Sequence, residues 1–339
     1  MAGTIRARLP DRQPPHTAPP LSVPSVDVFL TYRCGLRCAH CFVGDNLATK
    51  TDFPFPLLER LMAAAHEWDT REITFLGGEP TLYPRLADAL ELARLSGYRT
   101  RLVTNGHRAC ARFLRDHRDG PLPDFSFSLD GASPATHDRI RGRGSFSALM
   151  ESVAAARARG ATIGGILSIS RDNADDVPST LRLCDELRFE HLTIHYVTNR
   201  GFARQESVLS VQEWRQVCST IEAVAPTLQV RIRFERTFHT GMGALRCAVR
   251  DRNNLMFLPD GRVYMCMMFI DIPGSHSFTW TADGLVPNRS ACSEQHVVAT
   301  TDERGCPAIG LVNRGLRTDA DRHGTVIGCM YDKETAPSR

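Results

Sequence analysis

Thr31-Tyr32-Arg33-Cys34-Gly35-Leu36-Arg37-Cys38-Ala39-His40-Cys41-Phe42 sets three cysteines at C-x3-C-x2-C spacing, directly after a short, mostly apolar run at residues 26–30. That run reads as a strand, which puts the cysteines on the loop at its end. Three thiolates on one tight loop can hold three irons of a cubane 4Fe–4S cluster, for which thiolate is the usual ligand. No nearby cysteine serves the fourth iron, so that iron stays open to an outside molecule. A structural zinc site closes with four ligands in paired C-x2-C form, and no second pair is present.

Outward from this loop, short apolar runs alternate with longer amphipathic ones. Strands are expected over 26–30, 72–76, 100–104, 124–129, 162–170 and 191–197. Helices are expected over 56–68, 84–96, 108–118, 146–159, 174–187 and 211–224, with Leu57, Leu58, Leu61, Met62 and Ala65 at helical spacing. Six strand–helix repeats argue for a parallel sheet with right-handed crossovers, and are too few for a closed eight-unit barrel. The fold class is therefore α/β. Residues 1–25, with six prolines and no periodicity, read as an extended, disordered arm.

The loops after the strands carry ligand-type residues, as the C-terminal edge of a parallel sheet should. Gly77-Gly78-Glu79-Pro80 combines glycines that admit a close backbone approach with a carboxylate that accepts from an ammonium group. Ser128-Leu129-Asp130-Gly131 ends the fourth strand, and Thr104-Asn105-Gly106 the third; both are also ordinary turn dipeptides. His137 to Gly144 places three arginines on a glycine-rich loop, any of which can pair with a carboxylate; Arg141 is the candidate carried forward. Ser168 and Arg171 are lesser candidates. Cys110, Cys184 and Cys218 fall inside amphipathic helices and read as core residues, and His191 and His195 read as structural.

The cysteine loop followed one strand–helix unit later by GGEP resembles the radical S-adenosylmethionine (SAM) enzymes. The resemblance implies a six-unit partial barrel over 26–238. It also implies a cluster on Cys34, Cys38 and Cys41, and SAM held around Gly77, Gly78, Glu79, Ser128, Arg141 and Ser168. Reductive cleavage of SAM would give a 5′-deoxyadenosyl radical that abstracts hydrogen from an unactivated carbon. An outside electron donor such as flavodoxin or ferredoxin is then a partner.

Past residue 238 the strand–helix rhythm stops. Two apolar runs, 254–258 and 263–266, surround Pro259-Asp260-Gly261 and read as a β-hairpin. Cys247, Gly261 and Cys266 fall in a C-x13-G-x4-C pattern that resembles the opening of SPASM and twitch domains, which carry an auxiliary cluster. The dense C-x2-C-x5-C run of a full SPASM domain is absent, so residues 239–339 look like the one-cluster twitch form. Cys247, Cys266, Cys306 and Cys329 are assigned to a second 4Fe–4S cluster. Cys292, left over, is a candidate catalytic hydrogen donor, with an exchange between it and one of the four ligands as a rival assignment.

Composition limits the partners. The formal charge is +3 and no basic block interleaves with aromatics, so nucleic acid is not indicated. No apolar run approaches the roughly 18 residues of a membrane span, and no signal peptide is visible, so a cytoplasmic enzyme is expected. The leftover thiol favours epimerisation of a carbon centre in a sugar-containing metabolite of natural-product biosynthesis. A carbohydrate dehydrogenase and a SPASM-type peptide maturase are the alternatives. A mere electron carrier has no use for GGEP.

Overall fold

The computed structural model describes residues 22–240, 247–300, 305–329 and 334–336. Of the expected arm, residues 1–21 lie outside the described residues. Residues 22–25 already belong to the folded domain: Val23 is buried and its N–H donates to Trp68 O.

Seven strands pair in sequence order, all parallel: β1 (Ser25–Thr31), β2 (Glu72–Gly77), β3 (Arg99–Thr104), β4 (Asp124–Ser128), β5 (Ile163–Ile169), β6 (His191–Tyr196) and β7 (Arg231–Phe234). The helices between them are α1 (Phe55–Ala65), α2 (Leu86–Leu95), α3 (Arg108–Asp116), α4 (Pro134–Arg141), α5 (Ser145–Ala158), α6 (Val177–Glu186) and α7 (Val211–Val224). In α1 the buried residues Leu58, Leu61, Met62 and Ala65 repeat at the helical period and seat the helix on the sheet. A capping box between Ser210 and Glu213 starts α7, and Trp214 is its fully buried anchor.

Two elements depart from expectation. The segment from His137 is not a loop as far as Arg141, but the end of α4. The seventh parallel strand, β7, is only four residues long.

The remaining chain is β8 (Phe238–Thr240), α8 (Ala248–Asp251), β9 (Leu255–Phe257), β10 (Arg262–Tyr264), β11 (Phe278–Thr281), β12 (Gly284–Pro287), α9 (Glu294–Thr300), α10 (Pro307–Val312), α11 (Arg314–Arg322), β13 (Thr325–Ile327) and β14 (Glu334–Thr335). The expected hairpin is β9–β10, but it does not stand apart from the barrel. Strand β9 pairs parallel with β1, and β14 pairs antiparallel with β7, so one 12-stranded sheet runs from β12 to β14. The hairpin turn is fastened to the base of the cysteine loop. Arg262 donates to Asp260 Oδ2 at 2.6 Å and Asn46 Oδ1 at 2.8 Å, and Tyr32 OH donates to Asp260 at 3.2 Å. No helix of the described residues is long and apolar enough to cross a membrane.

Candidate active site

The cysteine loop leaves β1 at Thr31, whose Oγ1 accepts from Arg33 N at 3.0 Å. Side chains then alternate about the loop: Arg33, Gly35, Arg37 and Ala39 are exposed, whereas Cys34 and Cys41 are half-buried and Cys38 is buried. The loop is braced on three sides. Ala39 N donates to Ile140 O, Phe202 N donates to Cys41 O, and Gly78 N and Glu79 N donate to Thr31 O and Arg33 O at 2.7 Å. The thiols face polar groups. Asn105 Nδ2 lies 3.7 Å from Cys34 Sγ, and Arg141 Nη1 lies 3.9 Å from Cys38 Sγ.

Burial pushes the Cys34 thiol up to about 12, reinforced by Glu79, Cys38 and Cys41. Burial likewise raises Cys38, against the pull of Arg141. A metal reverses that bias, because a coordinating thiol is deprotonated outright. All eleven cysteines are free thiols. Among the described residues no three His, Cys, Asp or Glu side chains gather closely enough for a single ion. Three thiols on one loop are the donor set that a 4Fe–4S cluster takes, one thiol to each of three irons.

Glu79 is buried beside this loop. Its Oε1 accepts from Thr81 N, Thr81 Oγ1 and Thr104 Oγ1, and its Oε2 accepts from Asn105 N at 2.9 Å. Burial raises its pKa and those four bonds oppose the rise. The carboxylate thus ties the GGEP turn to the end of β3, and one acceptor direction on Oε2 remains for a ligand. The glycines are sterically required: a Cβ on Gly77 would sit 2.4 Å from Thr31 O, and one on Gly78 2.4 Å from Arg33 O.

Asp130, in the Ser128-Leu129-Asp130-Gly131 stretch from which Ser128 alone was carried forward, is the more deeply embedded of the two. It is fully buried, accepts from Ser168 N at 2.9 Å and from Arg141 Nε, and stands 3.4 Å from His40 Nε2. Burial raises its carboxyl, but Arg141, His40 and His137 outweigh that and hold it below the usual range. The same burial, with Arg141, pushes His137 down to about 4. Arg141 is therefore a cation pinned between Asp130 and Cys38. Ser128 and Ser168 lie on neighbouring strands at this edge, with Ser128 buried and Ser168 half-buried. Arg171 is elsewhere: it pairs with Glu213 at the start of α7 and leaves the site.

In the C-terminal part, Cys247, Cys266, Cys306 and Cys329 line one cavity, together with Phe269, Val298 and Ala308. Burial pushes Cys306 up to about 12, with Cys329 and Cys247 adding to it. Cys266 is raised as well, through burial and through Cys306, Glu294 and Cys329. Glu294, fully buried, accepts from Met265 N, Ser277 Oγ and, at 2.9 Å, Cys266 N; burial pushes it up to about 8. Cys292 is not part of this cavity. It is exposed in the turn before α9, with its N–H on Ser290 Oγ, and so is neither an enclosed hydrogen donor nor a fifth lining thiol.

Comparison with known proteins agrees with this geometry. The family model of the radical SAM superfamily matches residues 28–184. The PqqA peptide cyclase of Xanthomonas axonopodis pv. citri (strain 306) is 30% identical over 208 residues, covering 61% of this chain and 55% of that protein. The Fe-coproporphyrin III synthase of Methanosarcina barkeri (strain Fusaro / DSM 804) is 26% identical over 196 residues, covering 57% and 49%. The chain thus spans about half the length of these curated relatives. Among solved structures, Streptococcus suis SuiB bound to its precursor peptide SuiA superposes with a TM-score of 0.61 at 14% identity, over 75% of this chain and 62% of that one. At that identity the likeness is one of fold.

Proposed function

We propose that the protein, whose residues 28–184 match the radical SAM superfamily model, is a radical SAM enzyme that modifies a peptide substrate. Cys34, Cys38 and Cys41 would hold a 4Fe–4S cluster with one open iron, and the GGEP turn, Ser128, Ser168 and Arg141 would surround SAM. Cys247, Cys266, Cys306 and Cys329 would hold the second cluster. When bound, cluster and SAM supply a hydrogen-abstracting radical. The protein's own part is positional. Glu79 locks the turn on which SAM rests, and Asp130 orients Arg141 toward Cys38.

The observation that carries this reading is the meeting of the three thiols with Asn105, Arg141 and the Glu79-locked turn in one partly buried site. The peptide is favoured by a relative named as a peptide cyclase and a fold neighbour crystallised with a precursor peptide. The sugar-epimerase expectation loses its motive, because it rested on Cys292 as a shielded thiol and that residue is exposed.

The test is anaerobic turnover with SAM, a reductant and short peptides encoded beside the gene. 5′-Deoxyadenosine should rise with one of these peptides, and that peptide should be recovered as a modified product separable from the starting peptide by chromatography with mass spectrometry. Formation of 5′-deoxyadenosine that ignores every peptide and responds to a sugar would reverse the assignment.

A further inference from the structure

The loop between β6 and α7 touches both groups of cysteines. On one side, Phe202 N donates to Cys41 O at 2.9 Å, the carbonyl that also accepts from Gly44 N at 3.2 Å. Gly201, at φ 58°, leaves no room for a side chain there. A Cβ on it would stand 2.1 Å from Cys41 O, and one on Gly44 would stand 3.0 Å from Gly201 Cα. The two backbones therefore lie in direct contact beside the last cysteine of the first site.

On its other side the same loop meets the chain that follows Cys266. Cys266 O accepts from Phe269 N at 3.3 Å in a short 3-10 turn, Met267–Phe269, and Phe269 lines the cavity of the four cysteines. Two residues on, Asp271 Oδ2 accepts from Gly201 N at 2.8 Å and stands 3.2 Å from Arg200 Nη2. Thr198 Oγ1 donates to Met268 Sδ at 3.7 Å. Asp271 is partly exposed, but the Arg200 side chain is only 13% exposed and its Nε is buried without a partner. Among the described residues Asp271 is the one carboxylate paired with Arg200. Without it, a mostly buried guanidinium and the Gly201 N–H both lose their acceptor, so residues 200–202 must shift to reach water. Cys41 O is drawn along, because Phe202 N holds it.

The Arg262 node fastens Tyr32 and Asn46, on either side of the thiols. The contact through Asp271 instead reaches the backbone of Cys41 itself, and it begins five residues after a cavity-lining cysteine. We propose that Asp271 is a positioning residue through which the second cysteine site holds Cys41 of the first in place. It acts at one remove: Asp271 fixes residues 200–202, and these fix Cys41. Groups that orient the ligands of a metal centre govern how well the metal is retained. The inference rests on the assignment of one cluster to each cysteine site.

The test uses the anaerobically reconstituted protein. A chelator draws iron while the first cluster is followed by the electron paramagnetic resonance signal that changes on adding SAM. Asp271→Ala should hasten loss of that signal by about three- to tenfold, with circular dichroism unchanged. Asp271→Asn, which keeps an acceptor for Gly201 N, should fall between Asp271→Ala and wild type. Emptying the second site by Cys266→Ala with Cys306→Ala should hasten the same loss in the wild-type background and add nothing in Asp271→Ala. An Asp271 that serves only the C-terminal part would loosen the second cluster and leave decay of the first as in wild type, and that result overturns the proposal. Additive effects of Asp271→Ala and the emptied second site overturn it too. Wild type that holds only about four irons overturns the two-cluster premise instead, and iron analysis alone tells that failure from the others.

Discussion

Replacing Gly78 by Ala tests the site through a single methyl group. The φ of Gly78 is unremarkable for an L-residue, so the effect is steric. The added Cβ would lie 2.4 Å from Arg33 O and 2.8 Å from Tyr32 O, where ordinary contact begins at 3.4 Å. Both obstacles are backbone, so the turn and the cysteine loop must separate by about 1 Å. A shift of that size stretches the Gly78 N–Thr31 O and Glu79 N–Arg33 O bonds, now 2.7 Å each. Losing two such bonds costs about 1–3 kcal/mol, and the displaced carbonyl belongs to the residue before Cys34. A misplacement of roughly 1 Å near the chemistry lowers rates by about a hundredfold. Anaerobic 5′-deoxyadenosine formation should fall by that order, with thermal unfolding lowered by a few degrees and secondary structure intact. Gly35→Ala is the matched control, since a Cβ there meets nothing within 4 Å. Gly78→Ala that retains wild-type turnover and unfolding temperature would refute the argument, as would equal damage from Gly35→Ala.

Three further outcomes are expected. Reconstituted protein should bind about eight irons; Cys34, Cys38 and Cys41 together →Ala should remove about half of them, Cys266→Ala with Cys306→Ala the rest, and Cys292→Ala none, as read by iron analysis. His191, pushed down to about 4 by burial and by Arg101 and Arg231, stays neutral in the fold at pH values where the unfolded chain takes up a proton. Its contribution to stability is therefore complete above about pH 6.5 and is lost as pH falls toward 4. His191→Gln should flatten that part of the unfolding-temperature curve of the iron-free protein, and an unchanged curve would remove His191 from the account. Arg262→Met cuts the link from the hairpin to Tyr32 and Asn46, a partly exposed node worth about 1 kcal/mol. It should hasten iron loss to a chelator from the first cluster more than from the second.

The barrel was legible because its strands and helices announce themselves locally. The 211–224 helix has a capping box and buried residues at the helical period, and the structure places α7 over those same residues. Helix α4 escaped notice because its eight residues are mostly polar, with three arginines and histidines among the last five; only tertiary burial of His137, Ile140 and Arg141 reveals its inner face. Strand β7 alternates exposed and buried residues over just four positions, too few for a period to emerge. Of the four cysteines that line the cavity, Cys306 and Cys329 stood out by their glycine turns, and Cys247 and Cys266 by their C-x13-G-x4-C spacing. Gly305, at φ 103°, would press a Cβ against Ile327 O at 2.8 Å, so only glycine lets the Cys306 and Cys329 segments meet so closely. Spacing left Cys292 open to exchange with one of the four, and it lies outside the cavity that they line. Spacing could not tell where Cys292 is, and exclusion from one site is no placement in another. The pairing of β9 with β1 had no local signature at all.

That pairing has a consequence for how the protein is made. Tyr32 and Asp260, which join the two ends of the contact, stand 228 residues apart. A ribosome adding about 5–20 residues per second needs roughly ten to fifty seconds to cross that span. Throughout it, the outer edge of β1 has no neighbour, and its apolar residues Val26 and Val28 line an open row of backbone donors and acceptors. The nascent barrel is exposed to self-association along that edge until its last third emerges. Cutting the chain near residue 238 would make the condition permanent: the product would be a sheet with two raw margins, because β14 caps the opposite edge at β7. Expression of the full chain with slowed translation before residue 255 should therefore raise the aggregated fraction, whereas slowing after residue 265 should not.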